Sequence, residues 1–314
     1  MKNIMYKKIN MFSIAAAILM LSLLPKPLPA QTCSCAGAPV FNPLKYSTMQ
    51  KEKKWRFELS YKFHAINDLV EGSDSVVDDT DRKRTAQSIF FETRYALSQR
   101  LSVSALLNFT GHIREVGISG SGSVTTSGIG DSMLALQYTP LHQSDKKGVE
   151  FTIGGGVKAP TGRSNVTLTG VAAEDMQPGT GSWDTVGWAF GSKDLYKGLK
   201  LFGGASFRIN GKNSRDYQFG KELIAALGLR LQTKGALDYS LYTRYRWADS
   251  DQRFAGDVPN TGGNWLYLVP TVTIKAGKNY GFKTEVELPV YRKLNGFRQF
   301  TSTFLLSLSF YYEI

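Results

Sequence analysis

The chain predicts an all-β fold, an antiparallel transmembrane β-barrel of about twelve strands, and three observations carry that prediction. Apolar and polar residues alternate with a period of two in one segment after another. The segments suit a tilted bilayer-crossing strand, which needs about 9 to 11 residues where a globular strand averages about 5 to 6. The linkers between them also alternate between long and short, the rhythm of single-chain bacterial outer-membrane barrels.

In chain order, residues 1–30 read as a secretory signal peptide: Lys2, Lys7 and Lys8, then an apolar run over 11–24, then Leu28-Pro-Ala30. Cleavage there removes four lysines and no acid, which lowers the formal charge from +12 to +8. Acidic residues are interspersed with the remaining bases, so the pattern excludes a nucleic-acid stripe, and no nucleic-acid partner is expected. Beyond Ala30 no run approaches the roughly 18 to 20 apolar residues of a membrane helix, so residence in a membrane must rest on strands. Residues 31–54 read as a periplasmic leader. Its Cys33-Ser-Cys35 is too tight to staple a fold. The pair is a candidate soft-metal or redox site, weighed against an incidental pair in a disordered leader. A lipidated Cys33 is disfavoured by the Ala30-Gln-Thr32 that precedes it.

The barrel is expected over 55–314. Trp55, Phe57, Leu59, Tyr61 and Phe63 share one face of the first segment, with Arg56, Glu58, Ser60, Lys62 and His64 on the other. The alternation returns through Ile89 to Leu97, Leu101 to Phe109, Leu134 to Tyr138, Val149 to Val157, and Val186, Trp188 and Phe190. It continues through Leu199 to Phe207, Leu223 to Leu231, Leu237 to Trp247, Leu266 to Ile274, Phe282 to Val290 and Phe300 to Tyr312. Long linkers are expected at 67–86, 116–130, 161–182 and 249–263, and short ones at 99–100, 194–198, 232–236 and 276–279. Both ends of the barrel then lie on the periplasmic side. Trp55, Tyr95, Tyr138, Trp183, Trp247, Tyr280 and Tyr312 stand near segment ends, where aromatic girdles form. The aromatic last segment resembles the assembly signal of outer-membrane proteins, with Ile314 where Phe is commoner. A soluble sandwich would explain the alternation but neither the segment lengths nor the two linker classes.

If the apolar face meets lipid, the lumen receives Arg56, Glu58, Lys62, His64, Glu92, Arg94, Arg208, Glu222, Arg230, Arg244, Arg246, Lys283, Glu285 and Glu287. Twelve strands enclose a narrow space, so a hydrated passage and a salt-bridged core both remain open. The glycines of Met176-Gln-Pro-Gly-Thr-Gly-Ser-Trp-Asp184 do not form a phosphate loop, because no Gly-Lys-Ser/Thr opens a helix after them. No cofactor is expected.

Gly156-Val-Lys-Ala-Pro-Thr-Gly162, Gln177-Pro-Gly-Thr-Gly-Ser-Trp-Asp184 and Gly128-Ile-Gly-Asp131 together resemble the outer-membrane transporter family associated with the meta-cleavage pathway of phenol degradation. The resemblance implies a barrel that carries small, often hydrophobic compounds. On the residues themselves, Pro160, Gly162, Gly179, Gly181 and Asp184 are expected to shape the loop between the fifth and sixth strands rather than touch a ligand. His64, His112 and His142 are too few and too scattered to argue for a hydrolase, and no enzyme is expected. The expected role is passage of small molecules across a Gram-negative outer membrane, with inward polar residues for solvation and loops 161–182 and 67–86 for access. The partners are membrane lipid, a small solute and the outer-membrane assembly machinery. The second reading is a non-conducting structural or adhesion barrel, with acidic loop 74–81 as its surface.

Overall fold

The computed structural model describes residues 55–314 apart from 79–80, 118–121, 144–147, 169 and 172. The segments expected to be a signal peptide and a leader, with Cys33-Ser-Cys35, lie outside the described residues.

Twelve antiparallel staves close into a barrel: β1 (Trp55–Ala65), β2 (Arg82–Ala96), β3 (Leu101–Val116), β4 (Val124–Ile129 and Ser132–Leu141), β5 (Val149–Ala159) and β6 (Asp184–Tyr196), then β7 (Leu199–Asn210), β8 (Glu222–Gln232), β9 (Leu237–Ala248), β10 (Gly263–Lys275), β11 (Tyr280–Leu294) and β12 (Phe304–Glu313). Each pairs with its neighbours in sequence, and β1 pairs with β12 to close the cylinder. Trp55 N donates to Ile314 O at 3.1 Å and Ile314 N returns to Trp55 O at 2.9 Å. Closure leaves no edge strand, which is what backbone polar groups require in hydrocarbon.

The six long connections gather at one end, the loop end. The short ones, together with Trp55 and Ile314, occupy the other, the turn end. Around the outside, Leu59, Phe91, Leu107, Leu134, Leu229 and Phe310 are exposed, while alternate residues are buried. This is the inversion of a soluble core that an apolar solvent imposes.

Several expectations need correcting. The second strand begins at Arg82 and the fourth at Val124, so linkers 67–86 and 116–130 are shorter than their polarity suggests. Polar strand ends rise above the apolar band, and their ladder hydrogen bonds hold them extended where hydropathy is silent. Val186, Trp188 and Phe190 face inward, with Thr185, Gly187 and Ala189 outside. Gly154 on β5 allows this: a Cβ there would lie 2.1 Å from Trp188 Cζ2, so the bare backbone makes room for the indole. Phe300 belongs to a separate short strand, Gln299–Thr301, and is buried inside rather than facing lipid.

β4 carries the feature that sets up the site. Thr126, Gly128 and Gly130 are buried on even numbers, whereas Asp131, Met133 and Ala135 are buried on odd ones. The parity changes at Gly130-Asp131, a local interruption that turns a carboxylate inward. Any side chain at 130 would strike Asn108, whose Oδ1 lies 1.7 Å from the position of a Cβ. Asn108 Nδ2 donates instead to Asp131 O at 2.8 Å.

Candidate functional site

The inner wall is a ladder of ion pairs. β1 turns Arg56, Glu58, Lys62 and His64 inward, and Arg56 meets Glu313 at 2.6 Å and Glu58 at 3.2 Å. On β2, Arg94 lies 3.2 Å from Glu92. Glu222 of β8 receives Arg246 of β9 at 2.5 Å and Arg208 of β7 at 3.3 Å. Arg244 pairs with Glu287, and Lys283 with Glu285. His64 Nε2 lies 2.9 Å from Ser302 Oγ. Several cations also lie on inward rings: Arg246 over Trp265 at 4.6 Å, Arg244 over Tyr267 at 4.7 Å and Lys62 over Phe90 at 4.7 Å. Arg230 lies over Phe202 at 5.4 Å.

The two ends of the lumen differ. At the loop end, Asp68–Glu71, Asp74–Val76 and Gln299–Thr301 form a three-stranded sheet folded into the mouth. Its Leu69, Val70 and Phe300 join Ile66, Trp265 and Leu294 in one apolar cluster, and Trp265 Nε1 donates to Thr301 Oγ1 at 2.8 Å. The acidic loop expected at 74–81 is therefore partly a folded hairpin, with Asp74 and Ser75 exposed on its rim. At the turn end, Arg56, Arg230, Ser240 and Lys283 are only half-buried.

Beside that sheet, residues 174–179 of the β5–β6 connection turn inward instead of standing over the rim. Its 3-10 turn Glu174–Met176 is buried, as are Gln177, Pro178 and Gly179. Arg84 donates to Asp175 Oδ2 and O, and Arg114 Nη2 to Asp175 Oδ2 at 3.1 Å. Thr126 Oγ1 donates to Met176 O. Arg215 and Asn213, from the β7–β8 connection, donate to Glu174. The short ion pair with Glu174 holds the Arg215 guanidinium above its ordinary pKa.

The three motifs of the middle third converge on Lys158. Its Nζ lies 2.6 Å from Asp131 and 2.9 Å from Asp184 and donates to Ser182 O at 3.2 Å. Asp131 also accepts from Thr180 N at 2.8 Å, Thr180 Oγ1 at 2.7 Å and Gly162 N at 3.1 Å. Asp184 accepts from Ser182 Oγ at 2.9 Å and Gly211 N at 3.1 Å. Gly162 and Gly179 touch backbone to backbone, and a Cβ on Gly179 would lie 2.7 Å from Gly162 Cα. Gly181 takes φ +72°, a left-handed turn that glycine adopts without strain. Pro160 ends β5. Trp183 stands fully outside, 64 % exposed.

Between this hub and the β9–β10 connection lies a polar cavity of about 50 Å3, bounded by His112, Lys158, Asp175, Arg208 and Asp251 among others and roomy enough for a few waters. Asp251 accepts from Tyr217 Oη at 2.6 Å and Gly220 N at 2.8 Å. Burial pushes its carboxyl up to about 6, against the opposing pull of the Tyr217 and Gly220 hydrogen bonds. Burial and the adjacent Asp251 raise the Tyr217 phenol.

Sequence reasoning missed Arg84, Arg114, Lys158, Glu174 and Asp175. Lys158 was within reach, since it continues the inward parity of Thr152, Gly154 and Gly156 on β5. Arg84 falls within the linker expected at 67–86, and nothing local in the chain marks Asp175 as buried.

A closed twelve-stranded barrel with an apolar outer band and a charged interior is the architecture of membrane-spanning β-barrels. Among solved structures the chain is similar to the COG4313 outer membrane channel from Pseudomonas putida F1, at 14% identity over 87% of this chain and 100% of that one, with a TM-score of 0.67. It is also similar to a deletion mutant of the TodX monoaromatic hydrocarbon channel, at 11% identity over 90% of this chain and 96% of that one, with a TM-score of 0.50. At these identities the likeness is one of fold. No protein-family model matches the sequence, and no curated protein does.

Proposed function

We propose that this protein is an outer-membrane channel of a Gram-negative bacterium that mediates passive or facilitated passage of small molecules, hydrophobic ones among them. On this reading the loop end is extracellular and the turn end periplasmic. The observation that carries it is the interior itself: a wall of paired charges, half-buried toward the periplasm and sealed on the other side by a segment held through side-chain ion pairs. Such a segment can exchange protein partners for water, which a packed apolar core cannot do cheaply. The fold shared with an outer-membrane channel and with a monoaromatic hydrocarbon channel supports the class, and the motif resemblance supports a cargo linked to phenol degradation.

The filled mouth also favours a second reading, a non-conducting structural barrel. Planar-bilayer recording separates the two. Wild type is expected to conduct weakly or intermittently. D175N, which strips the charge that Arg84 and Arg114 hold, is expected to conduct several-fold more. If neither protein passes ions, and neither admits solutes to liposomes, the barrel is structural.

A further inference from the structure

We propose that Arg230, Phe202 and Tyr242 form a binding site for a small aromatic carboxylate in the periplasmic vestibule. The proposal rests on the passage reading only in placing this vestibule on a solute's path. Inward cations of this barrel come with a carboxylate: Arg56 with Glu313, Arg94 with Glu92, Arg244 with Glu287 and Lys283 with Glu285. Arg230 differs. Among the described residues its guanidinium has neither an ion pair nor a hydrogen bond, and its one close contact is the ring of Phe202 at 5.4 Å. Three acids act on it from a distance, Asp238, Glu285 and Glu150, and two of them are engaged elsewhere: Glu285 by Lys283 and by Tyr242 Oη at 3.4 Å, Asp238 by Lys275 at 2.8 Å.

The surroundings are aromatic and mixed in charge. Lys200 stands opposite Arg230 in the β7–β8 register, and Ser240 stands opposite on β9. Phe202 meets the edge of Tyr242, with ring centroids 5.9 Å apart and planes at 68°. Tyr242 lies close against the wall because Gly228 has no side chain; a Cβ there would come within 2.2 Å of the tyrosine Cβ. Arg230 itself is half-buried near the turn end, while Phe202 and Tyr242 beneath it are buried. A carboxylate can take two parallel N–H donors from a guanidinium, while an attached ring extends the aromatic pair. A neutral hydrocarbon would leave the guanidinium unpaired, and an aliphatic acid would add no ring to the aromatic pair.

The test is binding of benzoate to the detergent-purified full-length protein, by saturation-transfer NMR and calorimetry, with toluene and cyclohexanecarboxylate as comparators. Benzoate is expected to bind saturably and more tightly than either. R230Q should weaken it by about ten-fold or more. F202L should weaken benzoate but leave cyclohexanecarboxylate little changed. R230K, which keeps the charge and loses the fork, should fall between wild type and R230Q, and it replaces R230Q if that variant fails to fold by heat-modifiable gel mobility. Toluene binding as well as benzoate, or an unchanged benzoate affinity in R230Q or R230K, would overturn the site. Saturable benzoate binding in a barrel that never conducts would leave the site standing and remove the passage reading instead.

Discussion

Lys158 is where a single substitution should have the largest effect, because one ammonium serves two carboxylates that are both buried. In K158M, Asp131 keeps its three bonds from Thr180 and Gly162, and Asp184 keeps those from Ser182 and Gly211. Neither retains a cation from this hub. Removing one partner of a buried pair costs about 3–5 kcal/mol, because it strands the other charge. The retained donors hold the loss inside that range rather than doubling it. Urea unfolding in phospholipid vesicles, followed by tryptophan emission, measures the global loss. Trypsin cleavage at the exposed Arg163 measures release of the loop. Neutralising the stranded acids should recover part of the stability, so the triple variant K158M/D131N/D184N is expected to be more stable than K158M. The hub has no such role if K158M unfolds within about 1 kcal/mol of wild type and Arg163 is cut no faster.

The indole of Trp188 fills the space that a side chain at Gly154 would occupy, so G154A should destabilise the barrel by about 1–3 kcal/mol and shift tryptophan emission, whereas G155A, on the outer face with only Val186 O at 3.7 Å, should do neither. Asp251 sets a pH dependence. Its carboxyl is raised from 3.8 to about 6 on folding, so the stability it contributes is fully present below about pH 4 and lost as pH rises through 6, on the order of 2–4 kcal/mol. The protection factors of amides 217–220, which correct for the intrinsic pH dependence of exchange, should fall between about pH 4 and 7, and D251N should flatten that response. With Cys33 and Cys35 replaced by serine, M176C is expected to react with a small maleimide in proteoliposomes faster than L69C, because the ion-paired segment opens more readily than the apolar one. Equal rates would remove that distinction.

How much of this could be read from the chain follows from where each signal is written. The outer face is legible because lipid demands apolar residues at every second position, and Leu59, Leu107, Leu229 and Phe310 obey. The inner face of a narrow barrel carries no such rule. Trp188, Phe190 and Phe202 are inside with Arg244 and Glu222, so hydrophobicity alone reverses the reading of β6, whose outer residues are Thr185, Gly187 and Ala189. Gly128-Ile-Gly-Asp131, Gly156 to Gly162 and Gln177 to Asp184 stand out in the sequence as separate motifs. That they describe one hub depends on a parity change at Gly130-Asp131 and on backbone contact between Gly162 and Gly179, both of them long-range facts. Asp175 is an acidic residue in a loop by every local measure, and only the inward turn of Glu174–Met176 buries it.

The mouth is closed by two segments of different chemistry, and that difference decides which of them can move. The sheet built from Asp68–Glu71, Asp74–Val76 and Gln299–Thr301 commits Leu69, Val70 and Phe300 to a cluster with Trp265 and Leu294. Withdrawing it would expose apolar area to water at about 25 cal/mol per Å2, with nothing gained in return. The 174–182 segment instead commits Glu174, Asp175 and its Thr180 backbone to Arg215, Arg84, Arg114 and Asp131. Buried ion pairs of this kind come close to balancing their own desolvation, so exchanging them for water changes the free energy little. The apolar sheet is therefore expected to act as a fixed narrowing of the mouth and the polar segment as its movable part, the difference that the L69C and M176C labelling rates test. Loss of the Asp175 charge then favours the open position without loosening the wall, because β2 and β3, which carry Arg84 and Arg114, stay paired along their whole length.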